Sequence, residues 1–293
     1  MTVQAEDRTL KIVDKALSSI GDIATLPEVT IKIIEIVEDP QSTARDLHEV
    51  IKNDPALSVK VLKVVNSAFY GLPGQIASVD RAIILLGLSA VKNIAIAASI
   101  ARLFKGGQIS EDFSASDLWK HSVAVAVTAH DLAKISPHPV MANEVFVAGM
   151  IHDIGTLVER QVFSEEFAEV VNRCAATGES LIECERELIG ADHQAFGVGL
   201  TTKWKFPRHL RAAVGFHHNP EDLSTELRNM ATLIQIADIL CCQEKIGFYL
   251  TAQGGEITDE MLETIAITRA QLEDIRTNLP EQLAEAEASL GSS

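Results

Sequence analysis

Histidines and aspartates inside apolar segments constrain the fold of this chain more than any other feature. Five of the nine histidines form a spaced series, with one aspartate beside it and another downstream: His121, His152, Asp153, His193, His217, His218 and Asp238. Each lies on or next to a segment that reads as an apolar helix. One buried ionisable group is usually a satisfied core residue, but burying this many without a cation is costly. The series therefore predicts that several helices converge on one polar site.

The chemistry of this site has two interpretations. In the first, imidazoles and carboxylates from separate helices hold metal ions. The side chains of His152 and Asp153 diverge by roughly 100° around a helix, so His152 can bind one ion while Asp153 bridges toward a second. Asp117 lies four residues before His121 and shares its helical face. In the second interpretation, the histidines line a hydrogen-bonded polar seam without metal. The remaining histidines are predicted at the surface or a helix end: His48, His130, His138 and His209.

Helical periodicity runs along nearly the whole chain, and strand signals are almost absent. Pro, Gly, Asp and Ser separate the segments, and Asp54-Pro55 and Ser78 are typical helix starts. Only 5% of the residues are aromatic, so the core must consist mostly of Ala, Val, Ile and Leu, which suits packing of helix on helix. The sequence predicts an all-α fold. Buried helices are expected over residues 117–133 and 144–162, and a helical tail over 258–290 with a break at Pro280.

Composition limits the partners and the compartment. The formal charge is -16, which disfavours nonspecific contact with nucleic acid or anionic lipid. The N-terminus lacks the apolar region of a signal peptide, and no apolar run reaches the roughly 18–20 residues of a membrane span. We therefore expect a cytoplasmic protein without direct nucleic-acid or membrane binding. None of the cysteines forms a CxxC pair, and all are predicted to be reduced core thiols: Cys174, Cys184, Cys241 and Cys242.

Seven segments resemble the HDOD family, the HD-related output domain of bacterial signalling proteins. The HD-like segments are LWKHSVAVAV (118–127), AGMIHDIGTL (148–157), ECERELIGADHQAFGVGLTTKWKFP (183–207) and AAVGFHHNP (212–220). The N-terminal segments are ATLPEVTIKIIEIVEDP (24–40), IKNDPALSVKVLKVVNSAFYG (51–71) and IASVDRAIILLGLSAVKNIAI (76–96). This N-terminal half separates HDOD proteins from other members of the HD superfamily. The resemblance spans residues 20 to 240.

The resemblance implies a division of the chain and a set of ligands. It predicts a leader helix (1–19), an N-terminal helical subdomain (20–107), an HD-like subdomain with the metal site (108–247) and a C-terminal helical tail (248–293). Asp117 lies where a related enzyme places a further carboxylate ligand. Glu185 is expected either to orient a ligand histidine or to cap a helix. The HD-type ligand positions fall on His121, His152, Asp153, His193, His217, His218 and Asp238. One or two divalent transition-metal ions are implied, and iron, manganese, zinc and nickel are equally compatible.

Two functions follow from the resemblance. The first is a regulatory signalling module in which metal stabilises the fold, and a partner protein or small effector supplies input or output. The alternative is a metal-dependent phosphohydrolase, with Asp153 bridging the ions in catalysis and a lysine contacting phosphate: Lys92, Lys120 or Lys203. HD-GYP phosphodiesterases carry a lysine where this chain has Thr156, and their DGxGYP sequence is missing after His218. Cleavage of cyclic di-GMP in their manner is therefore not expected. The sequence leaves the oligomeric state open.

Overall fold

The structure of the protein is a computed structural model, and it describes residues 3–20, 26–39, 41–67, 70, 72, 74–104, 107–138, 140 and 142–290. Within these ranges it contains sixteen α-helices and no strand, only an isolated antiparallel bridge between Gln108 and Ser114. The predicted all-α fold is confirmed. Residues 21–25 at the start of the predicted N-terminal subdomain, and 105–106 near its end, lie outside the described residues. The predicted domain division stays a prediction.

The N-terminal half consists of six helices: α1 (Val3–Ser19), α2 (Glu28–Glu38), α3 (Ala44–Lys52), α4 (Pro55–Val65), α5 (Val79–Leu86) and α6 (Leu88–Ile100). Side chains cap three of them, α3, α4 and α5. Asp54 accepts a hydrogen bond from the backbone of Leu57 at 2.9 Å, and Pro55 opens α4. The hydroxyl of Ser78 caps α5 in the same way. Since α6 is buried along most of its length and packs against α2, α4 and α5, it forms the centre of this half.

The second half of the chain is built around α7 (Ala115–Ile135). The following helices are α8 (Ala142–Ile151), α9 (Gly155–Val162), α10 (Ser164–Thr177), α11 (Leu181–Leu188), α12 (His193–Lys203), α13 (Arg208–Phe216) and α14 (Thr225–Gln243). Helices α8 and α14 pack directly on α7. A Cβ atom added at Gly149 would lie 2.5 Å from Cα of Ala126, so α7 and α8 cross at backbone contact. This close crossing brings the residues that follow α8 toward the middle of α7.

The predicted helix over residues 144–162 is wrong in one respect, because it is two helices. Helix α8 ends at Ile151 and α9 begins at Gly155, with a turn at residues 152–154. A Cβ atom added at Gly155 would lie 1.9 Å from the carbonyl oxygen of His193. The start of α9 is therefore in backbone contact with the start of α12. The turn directly before this contact carries His152 and Asp153.

The C-terminal tail also differs from its prediction. Thr258 caps α15 (Asp259–Thr264) at the predicted start of the tail, but α16 (Arg269–Leu290) continues through Pro280. The interruption falls between α15 and α16, where Ala266 has a φ of 53°. Proline removes one backbone hydrogen bond from a helix. Here the helix stays continuous while a buried apolar face packs on α7 and α4: Leu272, Ile275, Leu279, Leu283 and Ala286. Among the described residues, no helix combines the length and apolarity that crossing a bilayer requires.

Candidate metal centre

Five parts of this second half bring the predicted site residues together. His121 lies on α7, the His152-Asp153 pair in the turn after α8, and Asp238 on α14. His193 opens α12, and the His217-His218 pair follows α13. Six of these seven side chains are at most 2% exposed, and His218 is half-buried. The side of the cluster at His218 is therefore its most accessible part.

Asp153 lies between two groups of imidazoles. Its Oδ2 atom is 3.1 Å from Nε2 of His152 and 3.7 Å from Nε2 of His121. Its Oδ1 atom is 3.3 Å from Nε2 of His217 and 3.5 Å from Nε2 of His193. On this second side, Nε2 of His218 lies 3.1 Å from Nε2 of His193. Each carboxylate oxygen therefore faces its own set of nitrogen atoms.

Asp238 extends the first side of the cluster. Its Oδ1 atom lies 3.1 Å from Nε2 of His121 and accepts a hydrogen bond from the hydroxyl of Thr251 at 2.9 Å. The Cys242 thiol also donates to this oxygen, at 3.3 Å. The first side thus combines imidazole, carboxylate, hydroxyl and thiol groups.

Buried polar atoms without hydrogen-bond partners distinguish between the two interpretations of the histidine and aspartate series, a metal site and a polar seam without metal. Both oxygens of Asp153, Oδ2 of Asp238 and the Nε2 atoms of His152 and His217 are buried without a hydrogen-bond partner of suitable geometry. Buried polar atoms in folded proteins nearly always have partners, and a hydrogen-bonded seam would supply them. In each of four groups of three or four residues, all candidate ligand atoms lie within 4.8 Å of one another. These residues fit metal ions better than a seam without metal.

Backbone acceptors hold the opposite side of three of the imidazole rings. The Nδ1 atoms of His152, His217 and His121 lie 2.7, 2.9 and 3.3 Å from backbone carbonyl oxygens of Gly149, Val214 and Ile246. A carbonyl oxygen only accepts, so each Nδ1 carries the proton and donates it. Each Nε2 is then left as an unprotonated ligand atom that faces the cluster.

Glu185 makes a contact of each kind that the sequence left open, one to the ring of His193 and one to a helix start. Its fully buried carboxylate accepts from Nδ1 of His193 at 2.8 Å and from the backbone N–H of His193 at 3.1 Å. It therefore fixes the ring and satisfies a backbone donor at the start of α12. Burial disfavours the imidazolium form of His193, but the charge of Glu185 and its hydrogen bond outweigh burial and raise the pKa of His193 to about 10.

Electrostatics keep the central carboxylate charged. Burial favours the neutral acid of Asp153, but His152, His217 and His193 outweigh it and hold its pKa well below the ordinary range. Burial and the neighbouring rings of His217 and His193 lower the pKa of His218. At neutral pH, Asp153 is thus anionic and His218 neutral, as metal ligation requires, whereas the imidazolium of His193 has to release a proton to bind an ion.

The structure places two residues differently from the sequence predictions. Asp117 does not reach the cluster, because its carboxylate forms a capping box with Ser114 at the start of α7. His130 was predicted at the surface or a helix end, but it is buried. Its Nδ1 atom lies 3.3 Å from Asp131, and its ring meets Phe146 edge-on. The reason is that α8 and α16 cover this part of α7.

Three buried polar residues near the cluster were missed by the sequence analysis. Cys242 follows Asp238 by four residues, and this helical spacing could have indicated a shared face. Thr251 contacts Asp238 from a turn after α14, and no local pattern marks it. Glu159 is buried on α9, and neither of its carboxyl oxygens has a hydrogen-bond partner. Burial, followed by the charges of Glu185 and Asp192, raises the pKa of Glu159 well above its ordinary value.

Replacing Glu159 with glutamine is expected to flatten the dependence of stability on pH. The folded state keeps the Glu159 proton above the unfolded pKa of about 4.3, so the free energy of unfolding falls as pH rises toward the folded pKa. Glutamine is neutral throughout, and the advantage of the variant should therefore grow between about pH 5 and pH 8. Urea unfolding of chelator-treated protein measures this difference, with exposed Glu256→Gln as the control. The prediction is contradicted if the free energies of unfolding of Glu159→Gln and wild type differ by the same amount at about pH 5 and about pH 8.

Gly155→Ala should destabilise the protein by about 3 kcal/mol or more, since overpacked sites have little room to relax. The new Cβ atom would lie 1.9 Å from the His193 carbonyl oxygen and 2.8 Å from the backbone nitrogen of Gly197. The matched control is Gly107→Ala, where the added atom has no neighbour within 4 Å. Denaturant unfolding of both variants tests the prediction. Equal stability of the two variants would show that α9 and α12 separate easily.

The fold and the buried cluster define an all-helical protein with an HD-like arrangement of histidine and aspartate. A model of the HDOD domain matches residues 23–220. The chain therefore belongs to the HDOD family, as the sequence resemblance predicted. Asp238 lies beyond the matched residues.

Solved structures share this fold. An HDOD domain protein of unknown function from Geobacter sulfurreducens has a TM-score of 0.81 at 22% identity, and covers 97% of this chain and 98% of its own. A protein from Marinobacter aquaeolei, provisionally assigned to signal transduction, has a TM-score of 0.78 at 22% identity over 98% of this chain and 66% of its own. A provisionally assigned phosphohydrolase from Shewanella amazonensis has a TM-score of 0.72 at 23% identity over 96% and 98%.

The curated relatives are longer than the matched region. An uncharacterised protein of Treponema pallidum is 22% identical over 237 residues, which are 81% of this chain and 45% of the relative. The uncharacterised protein YuxH of Bacillus subtilis is 26% identical over 151 residues, 52% of this chain and 35% of its own length. The chain thus spans less than half the length of these relatives.

Proposed function

We propose that this chain is a regulatory signalling module whose His/Asp centre holds one or two divalent transition-metal ions. The observation that carries the proposal is the position of Asp153, whose two buried oxygens lack hydrogen bonds and face two sets of imidazoles. The first ion would be held by His121, His152, Asp153 and Asp238. The second would be held by Asp153, His193, His217 and His218.

Metal binding at this centre would link parts of the chain that are distant in sequence. The ligands come from α7, the turn after α8, the start of α12, the residues after α13, and α14. Binding energy at such a site contributes directly to folding. Iron, manganese, zinc and nickel all suit a mixed set of imidazoles and carboxylates. A partner protein or small effector would supply the input or output, and the provisional assignment of the Marinobacter protein supports this role in signalling.

Most of the side chains that could contact a phosphate are engaged elsewhere. The Thr156 hydroxyl donates to the backbone oxygen of Asp153 at 2.7 Å. The Lys92 ammonium donates to the carbonyl of Ile36 at 2.9 Å, and that of Lys203 to the carbonyl of Leu17 at 3.0 Å. Lys120 is exposed and lines a groove with Glu244 and Arg276. These contacts favour the module over an enzyme that acts on phosphate esters.

The alternative function is a metal-dependent phosphohydrolase. The intact set of candidate ligands supports it, as does the provisional assignment of the Shewanella protein. When bound, the ions would polarise phosphoryl oxygens and lower the pKa of water toward about 7. Asp153 would orient both ions through its two oxygens, and the half-buried His218 would mark the accessible side.

Elemental analysis tests the metal centre. Protein prepared anaerobically with manganese or iron should contain one or two ions per chain, and His152→Ala should contain substantially less. His48→Ala is the control, because His48 pairs with Asp80 rather than with the cluster. Trace metal in the wild-type protein under these conditions would contradict the proposal.

A turnover assay separates the module from the hydrolase. Metal-loaded protein is incubated with a chromogenic phosphodiester, a cyclic dinucleotide and nucleoside triphosphates. We expect no hydrolysis above the rate of Asp153→Ala at equal protein concentration. Metal-dependent turnover that both His152→Ala and Asp153→Ala abolish would instead establish the phosphohydrolase.

A further inference from the structure

Cys242 lies beside the ligands of the first ion. It is on α14, one helical turn after Asp238, and its side chain is almost completely buried. Its sulfur lies 3.3 Å from Oδ1 of Asp238, and the same oxygen lies 3.1 Å from Nε2 of His121. The candidate ligand atoms of these three residues all lie within 4.8 Å of one another. The sulfur atom is thus as close to the other candidate ligand atoms as a metal ligand would be.

These separations match a metal shell. Sulfur, nitrogen and oxygen ligands bind zinc at about 2.0–2.3 Å, so neighbouring donors in a tetrahedral shell lie roughly 3.3–3.7 Å apart. Both observed separations are close to this range. In addition, Oδ2 of Asp238 is buried without a hydrogen-bond partner. A cation bound by the Asp238 carboxylate would offset the cost of burying this oxygen unpaired.

The neighbouring cysteine has a different environment. The sulfur of Cys241 contacts the hydroxyl of Thr128 on α7, at 3.6 Å. Among the described residues, Cys242 is the one cysteine whose sulfur belongs to a candidate metal group. Adjacent residues on a helix point in directions roughly 100° apart. Cys241 therefore offers a matched control for the chemistry of Cys242.

We propose that Cys242 is a thiolate ligand of the ion held by His121 and Asp238, an inference that rests on the proposed metal centre. On binding, the thiol proton would pass to solvent, and the sulfur would be a ligand of the ion instead of a hydrogen-bond donor to Asp238. Thr251 remains to donate to Asp238. A thiolate is a soft ligand, which favours zinc, iron or cobalt over manganese and magnesium. The inference thus narrows the class of metal that this site selects.

Cobalt(II) is the probe for this ligand, because a cobalt–thiolate bond produces a charge-transfer absorption in the near ultraviolet that nitrogen and oxygen ligands do not. The metal-free chain is titrated with cobalt(II), and the amount of bound cobalt is measured separately. We expect the band in wild type and in Cys241→Ser, and its loss in Cys242→Ser. Zinc affinity of Cys242→Ser should fall at least about 100-fold, more than the 10- to 100-fold that loss of an outer-shell partner costs, with a smaller change in manganese affinity.

The outcomes separate the two proposals. Wild-type protein that binds cobalt without the band would overturn the thiolate ligand and leave the metal centre intact, with Cys242 only donating to Asp238. Persistence of the band in Cys242→Ser would also overturn it. Failure of the wild type to bind any cobalt, zinc or manganese would remove the metal centre itself. If Cys242→Ser does not fold, the wild-type and Cys241→Ser spectra decide the question.

Discussion

Replacement of Asp153 by asparagine is expected to reduce bound metal from one or two ions per chain to trace amounts. Asp153 offers one oxygen to each set of imidazoles, at 3.1 Å from His152 and 3.3 Å from His217. Asparagine has a similar shape but lacks the negative charge and has one oxygen instead of two. Because loss of outer-shell partners alone costs about 10- to 100-fold in affinity, loss of this ligand should cost at least about 100-fold. Elemental analysis and competition with a chelating dye measure the loss.

Two further variants test whether the loss of metal in Asp153→Asn is specific to this carboxylate. His193→Ala should lose only the ion on the second side, because His121, His152 and Asp238 remain on the first. Asp80→Asn should keep its metal, because Asp80 is exposed and pairs with His48. Wild-type metal content in Asp153→Asn would show that the carboxylate does not bridge two sites.

Removal of metal is expected to cause the second large effect, a loss of stability. A ligand at about 1,000 times its dissociation constant stabilises the folded state by about 4 kcal/mol. At roughly 2–4 °C per kcal/mol for larger domains, this predicts a fall in Tm of about 8–16 °C. Part of the loss arises because the cluster keeps buried atoms without hydrogen bonds when no ion satisfies them. Calorimetry with and without chelator measures the shift.

The same measurement on Asp153→Asn provides the control. This variant should unfold at one temperature whether or not chelator is present, since it has no metal to lose. Reloading chelated wild-type protein should restore its Tm. An unchanged wild-type Tm after verified metal removal would contradict the idea that the ions stabilise the fold.

Local sequence signals predicted most helices because they depend on contacts within a few residues. Asp54 with Pro55, Ser78 and Thr258 all cap helices where the sequence places them. Helix α11 begins and ends where its apolar periodicity does. Leu181 and Cys184 are both buried on one face of this helix. A cap or an apolar face is a property of a short segment, and it needs no knowledge of the rest of the fold.

Long-range packing explains where the structure differs from the sequence predictions. Helix α16 stays continuous through Pro280 because its buried face packs on α7 and α4. His130 is buried because α8 and α16 cover it. The turn at residues 152–154 coincides with backbone contact between Gly155 and His193. Each of these features depends on residues that are distant in the chain, and periodicity contains no information about them.

The candidate site shows the same division. The sequence by itself determined which ligand types are available, since ionisable residues inside apolar helices must meet one another or a cation to be buried. Only the tertiary structure decided that Asp153 faces two sets of imidazoles, that Asp117 caps α7, and that Cys242 and Thr251 lie beside Asp238. The physical reason is that burial cost follows from the chemistry of each residue, whereas the distance between two ligand atoms follows from the packing of helices.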